Sequence, residues 1–281
     1  MTNNNTNILQ QVFRPGLSLI IASIAMVSSI AIAQEEPVYQ PVTDAELLNP
    51  PPEDWLMYRR TYDGWGFSPL DQITTENVSD LRPLWSFATG LLDGHESPPI
   101  VNDGAMFITT PQNNVLALDA TTGDMRWRYV RVLPEDLRQI HPTNRGVALY
   151  SDKVYLATVD SFLVALDATN GSVLWEKPVG NWQAGYYMTM APLVIKGKVL
   201  VGVSGGEMGI RGFVAAFDAT SGEEVWRTYT VPSPGETGNE TWPEETWRTG
   251  AVPVWVTGTY DPELNLTYWG TGNAGPWMGD K

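Results

Sequence analysis

Cysteine is absent from this chain of 281 residues. That excludes disulfides, thiolate metal sites, cysteine nucleophiles, covalent attachment of c-type haem and a lipid-modified cysteine within these residues. Histidine is nearly as scarce, and His95 and His141 stand too isolated to suggest a zinc site. Basic residues are few: 17 Lys and Arg face 32 Asp and Glu, a net charge of −15. An acidic surface repels a phosphate backbone, which argues against nucleic acid as a partner. No glycine-rich strand-to-helix turn of the dinucleotide-binding kind occurs. The longest apolar run, Leu17 to Ile32, falls short of the roughly 20 residues that a membrane-spanning helix needs.

What is present points to a folded, exported β protein. Hydrophobic residues make up 43% of the chain against 17% charged, enough to bury a substantial core. Twelve Trp, 26 Gly and 21 Pro suit many short strands broken by tight turns, with indoles as packing pieces. The run at Leu17–Ile32 follows a polar stretch with Arg14 as its one basic residue and ends in Ala31-Ile32-Ala33. We read residues 1–33 as a signal peptide cleaved before Gln34, in preference to an uncleaved anchor. Residues 34–53 are rich in proline and acid and read as an extended arm with a helical turn at Thr43–Leu48.

The remainder, residues 54–281, carries an internal repeat. Asp119, Asp167 and Asp218 each begin an Asp-x-x-x-Gly-x-x-x-Trp unit, through Gly123, Gly171 and Gly222 to Trp127, Trp175 and Trp226. The tryptophans lie 48 and 51 residues apart. An apolar strand precedes each Asp, whose carboxylate can accept N–H groups across the turn, while Gly supplies a positive φ. Further strands lie upstream in "AMFITT", "KVYLATV" and "KVLVGVS". Each repeat is thus a small antiparallel sheet that must be covered by its neighbours, with Trp wedged between sheets. The expected fold is all-β, a β-propeller with repeats around 85–127, 128–175, 176–226 and 227–281; a β-sandwich is the alternative. Residues 228–250 break the period as an acidic insertion, either the rim of a site or a plain long loop.

Several segments resemble, in order, those of the quinoprotein alcohol dehydrogenases. They are "WLMYRRTYDGWGFSPLDQIT" (55–74), the three tryptophan docking units, "GHESPP", "NRGVAL", "MTMAPLV", "SGGEMGIRG" and "YWGTGNAGPW". The resemblance covers about residues 50–281 and implies that they form about the first half of an eight-bladed propeller. It implies pyrroloquinoline quinone as cofactor, with Ca²⁺ or a lanthanide beside it. Glu207 and Asn273 match the metal ligands. Trp255 matches the floor under the quinone and Arg145 its cationic contact. Glu96, Thr189 and Ser204 match further polar contacts, and Gly205 and Gly206 let backbone approach a ligand.

Two positions depart from the family's pattern. Gln139 and Ile140 stand where many members carry adjacent cysteines, so the ceiling over the quinone falls to Ile140, His141 or Pro142. Pro253 stands where some members carry a threonine. The implied reaction is oxidation of an alcohol to an aldehyde in the periplasm, with or without membrane association. Electrons would pass to a cytochrome c or a membrane quinone, and a homodimer is among the assemblies allowed. The family's base is an aspartate expected beyond Lys281, so the chain is read as incomplete and no catalytic residue is named in it. A non-catalytic scaffold of the outer-membrane assembly type and a quinoprotein sugar dehydrogenase are the rival readings.

Overall fold

The computed structural model describes residues 39–138 and 140–275. The expected signal peptide, the first residues of the arm and Gln139 lie outside the described residues. The arm's helical turn is α1 (Asp44–Leu48), closed by a capping box. The Thr43 hydroxyl accepts the Glu46 N–H at 3.3 Å, and the Glu46 carboxylate accepts the Thr43 N–H at 2.7 Å. Leu47 is buried, and Val42 exchanges backbone hydrogen bonds with Ser151, which ties the arm to the second sheet. No helix among the described residues is long and apolar enough to cross a membrane.

Three four-stranded antiparallel sheets follow in chain order, each a simple meander. The first is β1 (Ile100–Asn102), β2 (Ala105–Thr109), β3 (Val115–Asp119) and β4 (Met125–Tyr129). The second is β5 (Ala148–Tyr150), β6 (Lys153–Ala157), β7 (Phe162–Asp167) and β8 (Val173–Pro178). The third is β9 (Leu193–Ile195), β10 (Lys198–Gly202), β11 (Phe213–Asp218) and β12 (Glu224–Tyr229). A hairpin of β13 (Thr259–Asp261) and β14 (Leu266–Tyr268) follows them. The first strands β5 and β9 lie side by side, whereas the last strands β8 and β12 are largely solvent-facing. The sheets therefore succeed one another as blades, inner edge to outer edge.

The repeat is visible atom by atom. The Asp119, Asp167 and Asp218 carboxylates each accept the N–H groups two and three residues on, at 2.8–3.2 Å. Gly123, Gly171 and Gly222 adopt φ of +76°, +74° and +70°. Each of these sheets has a register irregularity at the same place, with one extra residue on the last strand immediately before its Trp. Trp127 stacks on Gly171 and donates its Nε1–H to Ala168 O at 2.9 Å. Trp85 does the same on Gly123 and Ala120 O at 3.2 Å. Trp85 was not legible as a docking residue, because its own strand-turn unit lacks the Asp-to-Gly spacing. The third seam differs. Trp175 stacks on Gly222, but the carbonyl of Ala219 accepts the Tyr155 hydroxyl at 2.9 Å instead of an indole N–H.

Candidate functional site

The blade connections converge on one cavity of about 390 Å³. Glu96, Arg145, Thr189 and Trp255 each lie three or four residues before the first strand of their sheet: β1, β5, β9 and β13. Equivalent positions in successive blades thus meet at the same end of the fold. Ser204 to Glu207 follow β10, the second strand of the third sheet, and reach the same space. The lining comprises all nine residues singled out from the sequence: Glu96, Arg145, Thr189, Ser204, Gly205, Gly206, Glu207, Trp255 and Asn273.

Arg145 organises the cationic wall. Its guanidinium meets Glu96 at 2.7 Å, donates to the Thr189 hydroxyl at 2.7 Å, and lies 5.1 Å from the centre of the Trp255 ring. Its backbone N–H is held by Thr189 O at 2.9 Å. Thr189 and Ser204 are buried, and their hydroxyls share a hydrogen bond at 3.2 Å. The planar donor fork of a guanidinium with two adjacent hydroxyls makes a recognition surface for oxygen anions or carbonyls.

Glu207 and Asn273 are brought together by packing rather than by sequence. Pro253 sits between their neighbours. A Cβ on Gly206 would come 2.9 Å from the Pro253 ring, and one on Gly272 would come 3.0 Å from it. Pro253 O accepts the Gly272 N–H at 2.7 Å, and the Val252 N–H reaches Asn273 O at 3.1 Å. The turn carrying these contacts is unusual, since Ala251 and Val252 both have positive φ, +58° and +50°. For a β-branched residue that is a strained conformation. Gly205, at φ +107°, is needed because a Cβ there would overlap Gly185 O. The wall is therefore bare backbone on one side, with an exposed carboxylate and an exposed amide at its mouth.

Sequence reasoning missed Tyr187, which also lines the cavity. It is buried, its N–H and C=O face the chain at Ser204, and its hydroxyl points to Glu207 Oε2 at 3.5 Å. Burial, reinforced by the Glu207 charge, pushes its phenol well above the usual range, so the hydroxyl keeps its proton and acts as a donor. The available signal was the alternation of the extended segment, which sends Tyr187 and Thr189 to the cavity and Met188 and Met190 to the core. Of the three ceiling candidates only His141 lines the cavity; Ile140 and Pro142 do not. The insertion 228–250 contributes no lining residue. Its Trp247 instead packs against Arg211, whose guanidinium also stacks on Tyr229 at 3.9 Å.

Residues 55–279 match the PQQ glucose/ethanol/alcohol dehydrogenase β-propeller domain. The chain belongs to this family. It is 38% identical over 258 residues to the quinoprotein alcohol dehydrogenase PedH of Pseudomonas putida, covering 84% of this chain and 43% of that protein. It is 35% identical over 287 residues to the lanthanide-dependent methanol dehydrogenase of Methylacidiphilum fumariolicum, covering 93% of this chain and 46% of that protein. A solved europium-containing methanol dehydrogenase superposes with a TM-score of 0.78 at 38% identity, over 83% of this chain and 45% of that one. The chain thus spans less than half the length of these relatives. The all-β propeller expected from the tryptophan repeat agrees with the family and with these structures.

Within this quinoprotein family frame, the residues present fit the cofactor. An aromatic face, a guanidinium flanked by two hydroxyls and a glycine-walled cleft suit a flat, polyanionic quinone. Glu207 and Asn273 are hard oxygen donors of the kind Ca²⁺ and lanthanides take. Among the described residues no group of three or more His, Cys, Asp or Glu is placed to hold a metal.

Proposed function

We propose that the chain forms the cofactor-holding half of a quinoprotein alcohol dehydrogenase that oxidises primary alcohols to aldehydes. The observation that carries this reading is the convergence of nine residues on a single cavity, from four blade connections, the loop after β10 and the segment after β14. Trp255 provides the floor, and Arg145, with Glu96, Thr189 and Ser204, holds the quinone oxygens. Gly205 and Gly206 let backbone come close. Glu207 and Asn273 ligate Ca²⁺ or a lanthanide, and His141 stands at the ceiling in place of a disulfide. When bound, the quinone supplies a two-electron acceptor and the cation beside it Lewis-acid polarisation of its carbonyl.

Glu96 is paired with Arg145, and this reading gives Glu207 to the cation. The base is then the aspartate that the family resemblance implies, outside the described residues. Export by the signal peptide at residues 1–33 places the protein in the periplasm, with a cytochrome c or a membrane quinone as electron acceptor. The names of the relatives, among them alcohol dehydrogenases and a lanthanide-dependent methanol dehydrogenase, support the substrate class and the cation.

The test is reconstitution of the whole protein with pyrroloquinoline quinone and Ca²⁺ or a lanthanide. Reduction of an artificial dye with primary alcohols, unsupported by NAD, is the expected result. A folded protein that binds no quinone and reduces no dye with any alcohol or metal refutes the reading. N-terminal sequencing of the exported protein should begin at Gln34.

A further inference from the structure

Glu207 sits on a short turn (Gly206–Met208) bounded by two glycines of positive φ, Gly205 and Gly209. Its side chain is exposed, and no basic residue pairs with it among the described residues. A glutamate in that setting has three free torsions and no electrostatic anchor, so its carboxylate would sample many directions. A cation site needs it in one.

Tyr187 is the neighbour able to fix it. The ring is 2% exposed, so the phenol cannot swing aside. Its backbone is clamped to Ser204, with the Ser204 N–H on Tyr187 O at 2.7 Å. Ser204 is three residues from Glu207, and Gly205 between them is wedged against Gly185 O. Phenol and carboxylate are thus carried on two pieces of backbone whose relative position is set. The hydroxyl opens into the cavity, where Glu207 Oε2 at 3.5 Å is its one partner among the described residues. At that distance the contact is loose. A rotation of the exposed carboxylate alone would tighten it.

We propose that Tyr187 is a positioning residue for Glu207: its fixed hydroxyl donates to Oε2 and selects the side-chain direction in which the carboxylate faces the cation position. The proposal rests on the reading of Glu207 as a cation ligand. Outer-shell partners of this kind typically change metal affinity about 10–100-fold when removed.

The experiment is a double-variant cycle read by calorimetry, with Ca²⁺ and Tb³⁺ titrated into the whole protein in the presence of the quinone. Tyr187→Phe removes one hydroxyl and keeps the buried ring; its unchanged thermal midpoint without metal controls for folding. Expected results are a loss of about 10–100-fold in affinity for Tyr187→Phe, a larger loss for Glu207→Gln, and a double variant no weaker than Glu207→Gln alone. If Glu207→Gln weakens binding but Tyr187→Phe does not, the positioning role falls while the site reading stands. If Tyr187→Phe costs the same factor in the Glu207→Gln background, the phenol acts independently of Glu207 and the proposal fails. If Glu207→Gln itself leaves affinity unchanged, both the proposal and the ligand assignment fall. Should Tyr187→Phe lower the metal-free midpoint, its effect is read as the difference between the parent and Glu207→Asp backgrounds, in which the folding cost cancels. The shortened carboxylate withdraws from the hydroxyl, so Tyr187→Phe should cost less there than in the parent; an equal loss in both overturns the proposal.

Discussion

Gly171→Ala tests the docking seam that orders the blades. Two costs apply at once. Gly171 has φ +74°, and an L side chain in that left-handed region costs about 1–2 kcal/mol. The added methyl would also lie 2.5 Å from Trp127 Cε3 and 2.9 Å from Cδ2. Trp127 cannot yield easily, because it is buried, tilted against Phe107 and tethered through Nε1 to Ala168 O. Overpacking of this kind adds about 1–3 kcal/mol. The expected loss is therefore about 2–5 kcal/mol. Gly104→Ala separates the two costs: its φ is +73°, yet nothing lies within 4 Å of the new methyl, so only the backbone penalty of about 1–2 kcal/mol should appear. Urea unfolding followed by circular dichroism, with the slope checked for constancy, measures both. In a Trp127→Leu background the Gly171→Ala penalty should shrink to that of Gly104→Ala. Equal destabilisation by Gly171→Ala and Gly104→Ala in the parent protein would refute the stacking argument.

Three other outcomes are expected. Arg131 is bound in two directions by buried Asp160, at 2.6 and 3.2 Å, and by Glu176 at 2.7 Å, so Arg131→Ala should strand the Asp160 charge and cost about 3–5 kcal/mol. Urea unfolding checks this, and Asp160→Asn should recover part of the loss. The Thr121 hydroxyl and Arg126 hold the Asp119 carboxyl well below the usual carboxylate range, and the Ser221 N–H and hydroxyl lower Asp218. Folded values below unfolded ones give stability that is present above about pH 4 and is lost as pH falls through the folded values; acid titration of Asp119→Asn should show a shallower loss. Arg145→Lys keeps the charge but loses the fork that reaches Glu96 and Thr189 together. Quinone affinity, followed by absorbance titration, should fall about 10–100-fold with the fold intact.

The hairpins were legible in the sequence because their causes are local. An aspartate that caps the N–H groups two and three residues on, a glycine at positive φ and a fixed spacing to Trp act within nine residues, and they recur three times. The nine cavity residues were legible through a resemblance, on segments whose order along the chain could be read one by one. That they share a cavity could not be read from any of them. Tyr187 escaped notice since alternation alone does not say which face of an extended segment meets a cavity. Trp85 escaped because no Asp-x-x-x-Gly unit precedes it in the sequence.

Sequence by itself therefore determined the repeat, the turn chemistry and the family to which the chain belongs. Tertiary structure decided which indole stacks on which glycine, and it replaced the third indole hydrogen bond with one from Tyr155. It also decided that Glu207 and Asn273 meet across Pro253, and that a phenol stands behind Glu207. The physical reason is one of range. A turn is held by groups a few bonds apart, whereas a seam or a cavity is made by groups from different blades, whose distance is fixed only when every sheet has packed on the next.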